Sequence, residues 1–196
     1  MKLNLNFQSS HKLIKSFCLL LLTVISSFFL VTNNPVFASI NDDTYDGNIF
    51  ILYAGNGSLV PPRLSLKESL AREMPTLLVY YVDDSSDCKQ YSIVISRLQE
   101  FYGRAANIVP VAVDSIEQKS KYNKDEVGYY YKGLIPQTVL LDQKGKVIFD
   151  QTGQANFEQI DDKFREVFNL LPRSESVELK LKTFNEFNSE LVEEKK

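Results

Sequence analysis

A strand–helix–strand pattern restricts the fold of this chain more than any other feature. Thr76–Val82 and Asn107–Val113 are near-continuous apolar runs, each of a length expected for a strand buried on both faces. Between them, from Cys88 to Tyr102, apolar residues recur at helical spacing, and Gly103 follows as a stop. Strands that alternate with helices in this way indicate an α/β protein.

Two further elements are predicted before this pattern. Ile49–Tyr53 is predicted to form a short strand, because five consecutive residues are apolar or aromatic and turn residues follow. A helix is predicted to begin at Ser65, since Glu68 has the capping-box spacing, and to end before Pro75.

The segments after the pattern complete the predicted fold. We expect a helical segment over residues 120–131, a hairpin of strands Gln137–Asp142 and Val147–Asp150, and a last helix that begins near Asn156. Pro110 is expected where the neighbouring strand has ended, because proline cannot donate to a ladder. The prediction is therefore an α/β fold with a central mixed sheet of about five strands flanked by helices.

The start of the chain has the pattern of a signal peptide. The first 16 residues carry three lysines and no acid, the apolar run Phe17–Val31 follows, and Ala38 supplies the small residue of a cleavage site. The apolar run is shorter than the roughly 20 residues that a membrane-spanning helix prefers. We predict a signal peptide over residues 1–38, with an uncleaved membrane anchor as the alternative; in both cases the rest of the chain is exported.

Removal of this leader changes the chemistry available to the chain. It takes away three lysines and no acid, so the formal charge moves from −3 to −6, which disfavours binding to nucleic acid or anionic lipid. It also takes away Cys18 and His11, so Cys88 becomes the only cysteine and no histidine remains. One thiol cannot close an internal disulfide, and stability must come from packing.

The junction between the central strand and helix reads Ser85-x-x-Cys88, where an oxidoreductase places Cys-x-x-Cys. Dithiol exchange needs an attacking thiolate and a second thiol, and serine cannot attack without an adjacent base. We therefore expect no catalytic residues here. Two interpretations of Cys88 stay open, an inert, partly buried thiol and a redox sensor that forms intermolecular disulfides.

Three carboxylates, Asp83, Asp84 and Asp87, crowd the same turn. We expect them to cap the helix and favour its positive end, with Ser85 and Ser86 sharing that task. A calcium loop would need more oxygen ligands on a recognisable spacing, so neither a metal nor a cofactor is predicted.

The whole pattern resembles a thioredoxin-like domain over residues 49–171, with Ile135-Pro136 just before the hairpin. Two phrases, Tyr53–Arg63 and Val82–Tyr91, are similar to the cyanobacterial thylakoid proteins called photosystem I accumulation factors. The thioredoxin resemblance implies that Ser85 stands at the position of the attacking cysteine and Cys88 at that of the resolving one. It also implies that Pro136 is the active-site proline and that its peptide bond is cis.

The resemblance implies a non-catalytic assembly factor that supports photosystem I accumulation by binding a photosystem I subunit or an assembly intermediate. The alternative is a single-thiol redox protein or sensor that acts through Cys88. The implied location is the thylakoid membrane or lumen, with the periplasm as the alternative. The surface expected to bind a partner lies around the degenerate motif and the proline: Asp84, Ser86, Asp87, Tyr129, Tyr130 and Ile135.

Two segments flank the predicted domain. Residues 39–48 are polar and acidic, which predicts a flexible lead-in. Residues 172–196 form a charged extension whose apolar residues, from Leu181 to Leu191, are spaced roughly as one helical face. This extension is expected to be either a solvated or docked helix or a partner-binding helix.

Overall fold

The structure of the protein is a computed structural model that describes residues 7–31 and 38–176. It divides into two compact units, Met1–Ala38 and Ser39–Lys196. The first unit contains helix α1 (Phe7–Val31). Within the described residues, no helix combines the length and the apolar character needed to cross a membrane. The extension beyond residue 176 lies outside the described residues, so its predicted helix and its partner role stay predictions.

The second unit is built on a mixed sheet. Its helices and strands are α2 (Ile49–Leu52), α3 (Leu66–Ala71), β1 (Thr76–Tyr81), α4 (Ser86–Tyr102), β2 (Asn107–Ala112), β3 (Gln137–Leu141), β4 (Val147–Thr152) and α5 (Phe157–Val167). The strand order is β2-β1-β3-β4, with β1 parallel to β2 and antiparallel to β3, and with β3 antiparallel to β4. The predicted α/β class and the closing hairpin are confirmed.

The sheet has four strands in the described residues, rather than about five, because the prediction for Ile49–Tyr53 is wrong. Residues Ile49–Leu52 form a short helix instead. The side chain of Asn48 accepts a hydrogen bond from the Phe50 N–H at 3.1 Å and so starts this helix. A short apolar run does not by itself distinguish a strand from a buried helix.

The prediction of a helical segment over residues 120–131 is also wrong, since only the 3-10 turn Val127–Tyr129 forms there. The loop is held by tertiary hydrogen bonds, among them one from the Tyr80 hydroxyl to the Val127 carbonyl at 2.6 Å. Gly128 approaches the ring of Tyr122 so closely that an added Cβ would lie 2.4 Å from it. These contacts depend on the fold rather than on local helix propensity.

Pro110 lies within its ladder, opposite Val79, rather than beyond the end of a neighbouring strand. The expectation about its position is therefore wrong in detail. Among the described strands β2 pairs only with β1, so it is an edge strand and tolerates a residue without an N–H.

The helix starts that were predicted from capping boxes are confirmed. Ser65 accepts from the Glu68 N–H at 3.3 Å, and the Ser65 N–H donates to the Glu68 carboxylate at 2.8 Å. Asn156 and Gln159 exchange the same pair of bonds, both at 3.0 Å. Local sequence fixes these two boundaries because the partners are only three residues apart.

The two faces of the sheet bury separate clusters of side chains. Alternate residues of β1 point to opposite faces, so Leu77, Val79 and Tyr81 pack with α2, α4 and α5. Leu78 and Tyr80 pack on the other face, with α3 and the loop that contains Tyr130. Both clusters consist of residues between 49 and 168, so the second unit has a core of its own.

Candidate functional site

The sheet topology brings the Ser85-x-x-Cys88 motif and Pro136 to the same end of the sheet. Strand β1 ends at Tyr81, and α4 begins five residues later. Strand β3 runs antiparallel to β1, and Gln137 at its start lies opposite Tyr80, so Pro136 adjoins the same end. The Ile135–Pro136 peptide bond is cis, as predicted. The motif and the proline therefore both adjoin the same end of the sheet.

The thiol of Cys88 is in the core. Only 1% of Cys88 is exposed, and it belongs to the cluster beneath α4. Burial raises the pKa of this thiol, hydrogen bonds with Val82 and Ser85 partly oppose that shift, and the charges of Asp87 and Asp83 add smaller increases. The thiol is therefore protonated at neutral pH and shielded from solvent, which is the opposite of what a nucleophilic cysteine needs.

Ser85 serves as the N-cap of α4. Its hydroxyl oxygen accepts a hydrogen bond from the Cys88 N–H at 3.4 Å. The residue at the position of an attacking thiol thus has a structural task, that of satisfying one of the free N–H groups at a helix start.

The sequence analysis expected Asp83, Asp84 and Asp87 to act together at the start of α4. Asp87 does lie in the first turn of α4, but Asp83 serves another helix. Asp83 accepts from the Ile49 N–H at 2.9 Å and so serves α2 rather than α4. Burial raises the pKa of Asp83. Asp87 accepts from the Gln154 side chain at 3.1 Å, and Asp84 is exposed. Among the described residues, no group of three or more histidine, cysteine or acidic side chains is placed to hold a metal ion.

A further acid at the first turn of α4 comes from a segment that the sequence analysis expected to be a flexible lead-in. Asp43 accepts from the Ser86 N–H at 2.8 Å. Residues 39–48 are called the N-terminal strap below. This strap contacts α4 through the Asp43 bond and through the hydrogen bonds of Lys89. Composition is misleading here because the acids of the strap have a cationic partner on the folded domain.

Lys89 is that partner, and its side chain is completely buried. The ammonium donates to Asp46 at 2.7 Å, to Asp42 at 3.0 Å and to the Ser39 carbonyl at 2.9 Å. It also lies 5.3 Å from the centre of the Tyr53 ring, and the Tyr53 hydroxyl donates to Asp46. The three N–H donors of the ammonium are all satisfied.

The electrostatics of this cluster keep the lysine charged. Burial opposes the charge on Lys89, but the hydrogen bonds to Asp46 and Asp42 outweigh it and raise the lysine pKa. Hydrogen bonds from Thr44 and then Lys89 lower the pKa of Asp42 to about 2. Hydrogen bonds from Lys89 and Tyr53 lower the pKa of Asp46. All three groups are therefore ionised at neutral pH.

The position of Lys89 on α4 is a sequence signal for this cluster, which the sequence analysis missed. Lys89 lies three residues before Ser92 and six before Ile95, so it falls on the buried face of α4. A lysine on a buried helix face requires an anionic partner. The acids of the strap, 43 to 47 residues upstream, were the available candidates.

No protein-family model matches the chain. A curated protein of Synechocystis sp. (strain ATCC 27184 / PCC 6803 / Kazusa), thylakoid membrane protein slr1796, is 58% identical over 180 residues, which cover 91% of this chain and 90% of the relative. This chain belongs to that family of thylakoid membrane proteins.

Solved structures similar to this chain include thioredoxins. A mutant thioredoxin from Halobacterium salinarum NRC-1 is 20% identical, with a TM-score of 0.43, and the match covers 55% of this chain and 86% of that one. The thioredoxin of Fasciola hepatica is 13% identical, with a TM-score of 0.41, and covers 52% and 90% of the two chains. The fold of this thylakoid family member is α/β, with a mixed four-stranded sheet flanked by helices in the described residues.

The predicted partner surface of this family member is only partly available. Tyr129 is 48% exposed, but Tyr130 is buried, and its hydroxyl donates to the Lys124 carbonyl at 2.9 Å. Ile135 is partly buried and packs against both core clusters. The sequence analysis missed Leu134, which is 60% exposed and lies two residues before the cis proline. Tyr129 and Leu134 are therefore the apolar side chains that this loop presents to solvent.

The loop that carries these two residues is fixed to the sheet. The side chain of Gln137 donates to the Tyr130 carbonyl at 2.9 Å and accepts from the Lys132 N–H at 2.9 Å. Gly133 has φ +82°, a left-handed conformation that glycine adopts at little cost. The exposed side chains on both sides of this turn thus have a defined backbone position.

Proposed function

We propose that this protein is a thioredoxin-like factor without dithiol chemistry, which supports the accumulation of photosystem I by binding a membrane-protein subunit or an assembly intermediate. Membership in a thylakoid membrane protein family supports the cellular setting, with the domain after residue 38 exported to the thylakoid membrane or lumen. The resemblance of Val82–Tyr91 to photosystem I accumulation factors supports the choice of client.

One observation carries the non-catalytic part of the proposal. The position of the attacking thiol is a serine that caps α4, and the remaining thiol is 1% exposed. A mixed disulfide requires in-line access to a thiolate, and neither access nor thiolate is provided. The same burial disfavours the alternative of a single-thiol redox protein that acts through Cys88.

The binding part of the proposal rests on the loop before β3. Tyrosine is a frequent anchor in protein interfaces, and Tyr129 and Leu134 are exposed on a loop beside the cis proline. In thioredoxin-like folds an extended chain can pair with the backbone that precedes this proline, in the manner of strand addition. Loss of thiol chemistry does not remove such a surface.

Complementation tests the two parts separately. In a Synechocystis strain that lacks the 58%-identical relative, this chain should restore photosystem I content, measured by immunoblot and low-temperature fluorescence. Cys88→Ser should restore it nearly as well. A double variant, Tyr129→Ala with Leu134→Ala, should not. Leu171→Ala is the matched control, because Leu171 is also exposed, at 62%, and lies after α5.

Two results would argue against the proposal. Failure of a folded, normally abundant Cys88→Ser protein, together with a Cys88-dependent adduct on non-reducing gels, would favour the single-thiol alternative. Turnover of insulin disulfides by the purified wild-type protein would contradict the absence of reductase chemistry.

A further inference from the structure

The buried ammonium of Lys89 donates a hydrogen bond to Ser39, the residue that follows the predicted cleavage site. The Lys89 Nζ lies 2.9 Å from the carbonyl oxygen of Ser39. The Ser39 nitrogen is two covalent bonds from that carbonyl carbon, and the same Lys89 Nζ donates to Asp46 at 2.7 Å. The Ser39 backbone N–H is among the groups that lower the pKa of Asp46. The nitrogen that cleavage after Ala38 would release therefore already lies at the Lys89 cluster.

The charges of this cluster are unbalanced while the leader is attached. Asp42 and Asp46 bind the single ammonium of Lys89, and Tyr53 contributes a hydroxyl to Asp46. Asp43, in the same segment, binds the Ser86 N–H instead. Lys89 and Asp46 are almost entirely buried, at 0% and 4% side-chain exposure. Buried and half-buried carboxylates are stabilised by additional cations and hydrogen-bond donors. Two carboxylates thus share one ammonium, and no second lysine or arginine pairs with either of them within residues 7–31 and 38–176.

We propose that signal-peptide cleavage supplies that second cation, an α-ammonium on Ser39 that pairs with Asp46, so that removal of the leader fastens the N-terminal strap across the first turn of α4. Hydrolysis of the Ala38–Ser39 bond by a signal peptidase consumes one water molecule. The carboxylate leaves with Ala38, and the amine of Ser39 takes up a proton. An amide N–H that carries no net charge is thereby replaced by a charged donor at the same place.

The N-terminal strap also affects the start of α4. Asp43, in the same strap, accepts from the Ser86 N–H, so a strap that is held more firmly also protects the start of α4. In the processed protein the strap covers the turn beside Ser85, while Tyr129 and Leu134 stay exposed. The inference depends on cleavage after Ala38 and not on the photosystem I proposal.

Two proteins that differ by one charge test the inference. Residues 39–196, which contain the entire core, are prepared with a free Ser39 amine and with the same amine acetylated. Hydrogen exchange at the Ser86 and Lys89 amides should be slower in the free form by a factor on the order of five at pH 6. Asp46→Asn should remove this difference, and Asp42→Asn, at a more exposed position, should reduce it if Asp46→Asn does not fold.

The pH dependence provides a second measurement. In the proposed pair, the carboxylates of Asp46 and Asp42 favour the charged α-ammonium and the ammonium of Lys89 opposes it. Because Asp46 pairs with it directly, we expect its pKa to lie above the usual value of about 7.7–8.0. Its stabilising effect is then fully present below that value and is lost as the pH rises through the higher pKa of the folded state. Equal exchange in the free and acetylated proteins would overturn the inference. Mature protein from thylakoid membranes whose N-terminal residue is not Ser39 would also overturn it.

Discussion

Cys88 and Lys89 are adjacent in sequence and both are buried, but burial acts on them in different ways. Burial disfavours the thiolate form of Cys88, so it raises the pKa of this residue and keeps the thiol protonated and neutral. The ammonium keeps its charge because Asp46 and Asp42 lie within 3.0 Å of it. The neutral group is inert, whereas the charged group organises a segment that is distant in sequence.

The burial of Cys88 predicts slow alkylation. In the processed protein, iodoacetamide should modify Cys88 far more slowly than in urea, with mass spectrometry as the measurement. Raising the pH toward 9 should accelerate the reaction less than for a free thiol, because the pKa of the native thiol is above its usual value. A native rate equal to that in urea would show an accessible thiolate.

Removal of the Lys89 charge should destabilise the protein strongly. Lys89→Met leaves Asp46 buried without its cation, so we expect the urea midpoint to fall by roughly 1 M or more. Lys67→Met is the matched control, because Lys67 is 79% exposed and 4.0 Å from Asp125, and its midpoint should hardly change. Lys89→Met combined with Asp46→Asn should recover part of the loss. No recovery would show that the pair is not coupled.

Among the elements, α4 and α5 begin with caps of different quality. Ser85 makes one long bond of 3.4 Å at the start of α4, whereas Asn156 and Gln159 form two bonds of 3.0 Å at the start of α5. The start of α4 also receives the Asp43 carboxylate from the strap. The first turn of α4 therefore depends on tertiary contacts more than the first turn of α5 does.

This difference predicts unequal costs of cap removal. Asn156→Ala should lower the free energy of unfolding by about 1 kcal/mol, and Ser85→Ala by about 0.5 kcal/mol, both measured by urea denaturation. Ser85→Ala should also restore photosystem I content in the complementation strain. A larger loss for Ser85→Ala than for Asn156→Ala would mean that the hydroxyl has a role beyond the cap.

At the scale of the whole molecule, a second buried acid joins α4 to α5 and to the residues that follow. Asp161 accepts hydrogen bonds from the Tyr102 hydroxyl and from Arg165 at 2.8 Å, and it forms an ion pair with Arg173 at 3.4 Å. The rings of Tyr102 and Phe164 stack beside it, 4.3 Å apart. Both helices are thereby held against the same face of the sheet.

Asp161→Ala should destabilise the protein by roughly 2 kcal/mol, because the buried Tyr102 hydroxyl loses its acceptor and Arg165 loses its partner. Asp162→Ala is the matched control. Asp162 bonds the same Arg173 at 2.7 Å, but its side chain is 57% exposed, so its loss should cost less than about 0.5 kcal/mol. Similar unfolding free energies for the two variants would contradict the burial argument.

The sequence by itself determined the features whose partners are close along the chain or whose pattern is periodic. These include β1, α4, the hairpin, both capping boxes and the absence of a dithiol at Ser85-x-x-Cys88. Capping bonds span three residues, and the 2.0 and 3.6 periods of strands and helices can be read directly.

Only the tertiary structure decided the helical state of Ile49–Leu52, the burial of Cys88 and the contact between the strap and Lys89. Contacts between residues more than 30 positions apart contribute to them, such as Asp83 with Ile49, which adds to the local Asn48 cap, or Lys89 with Asp46. Local propensity carries no information about such pairs. The free energy of a buried charge depends on which opposite charge the completed fold places beside it.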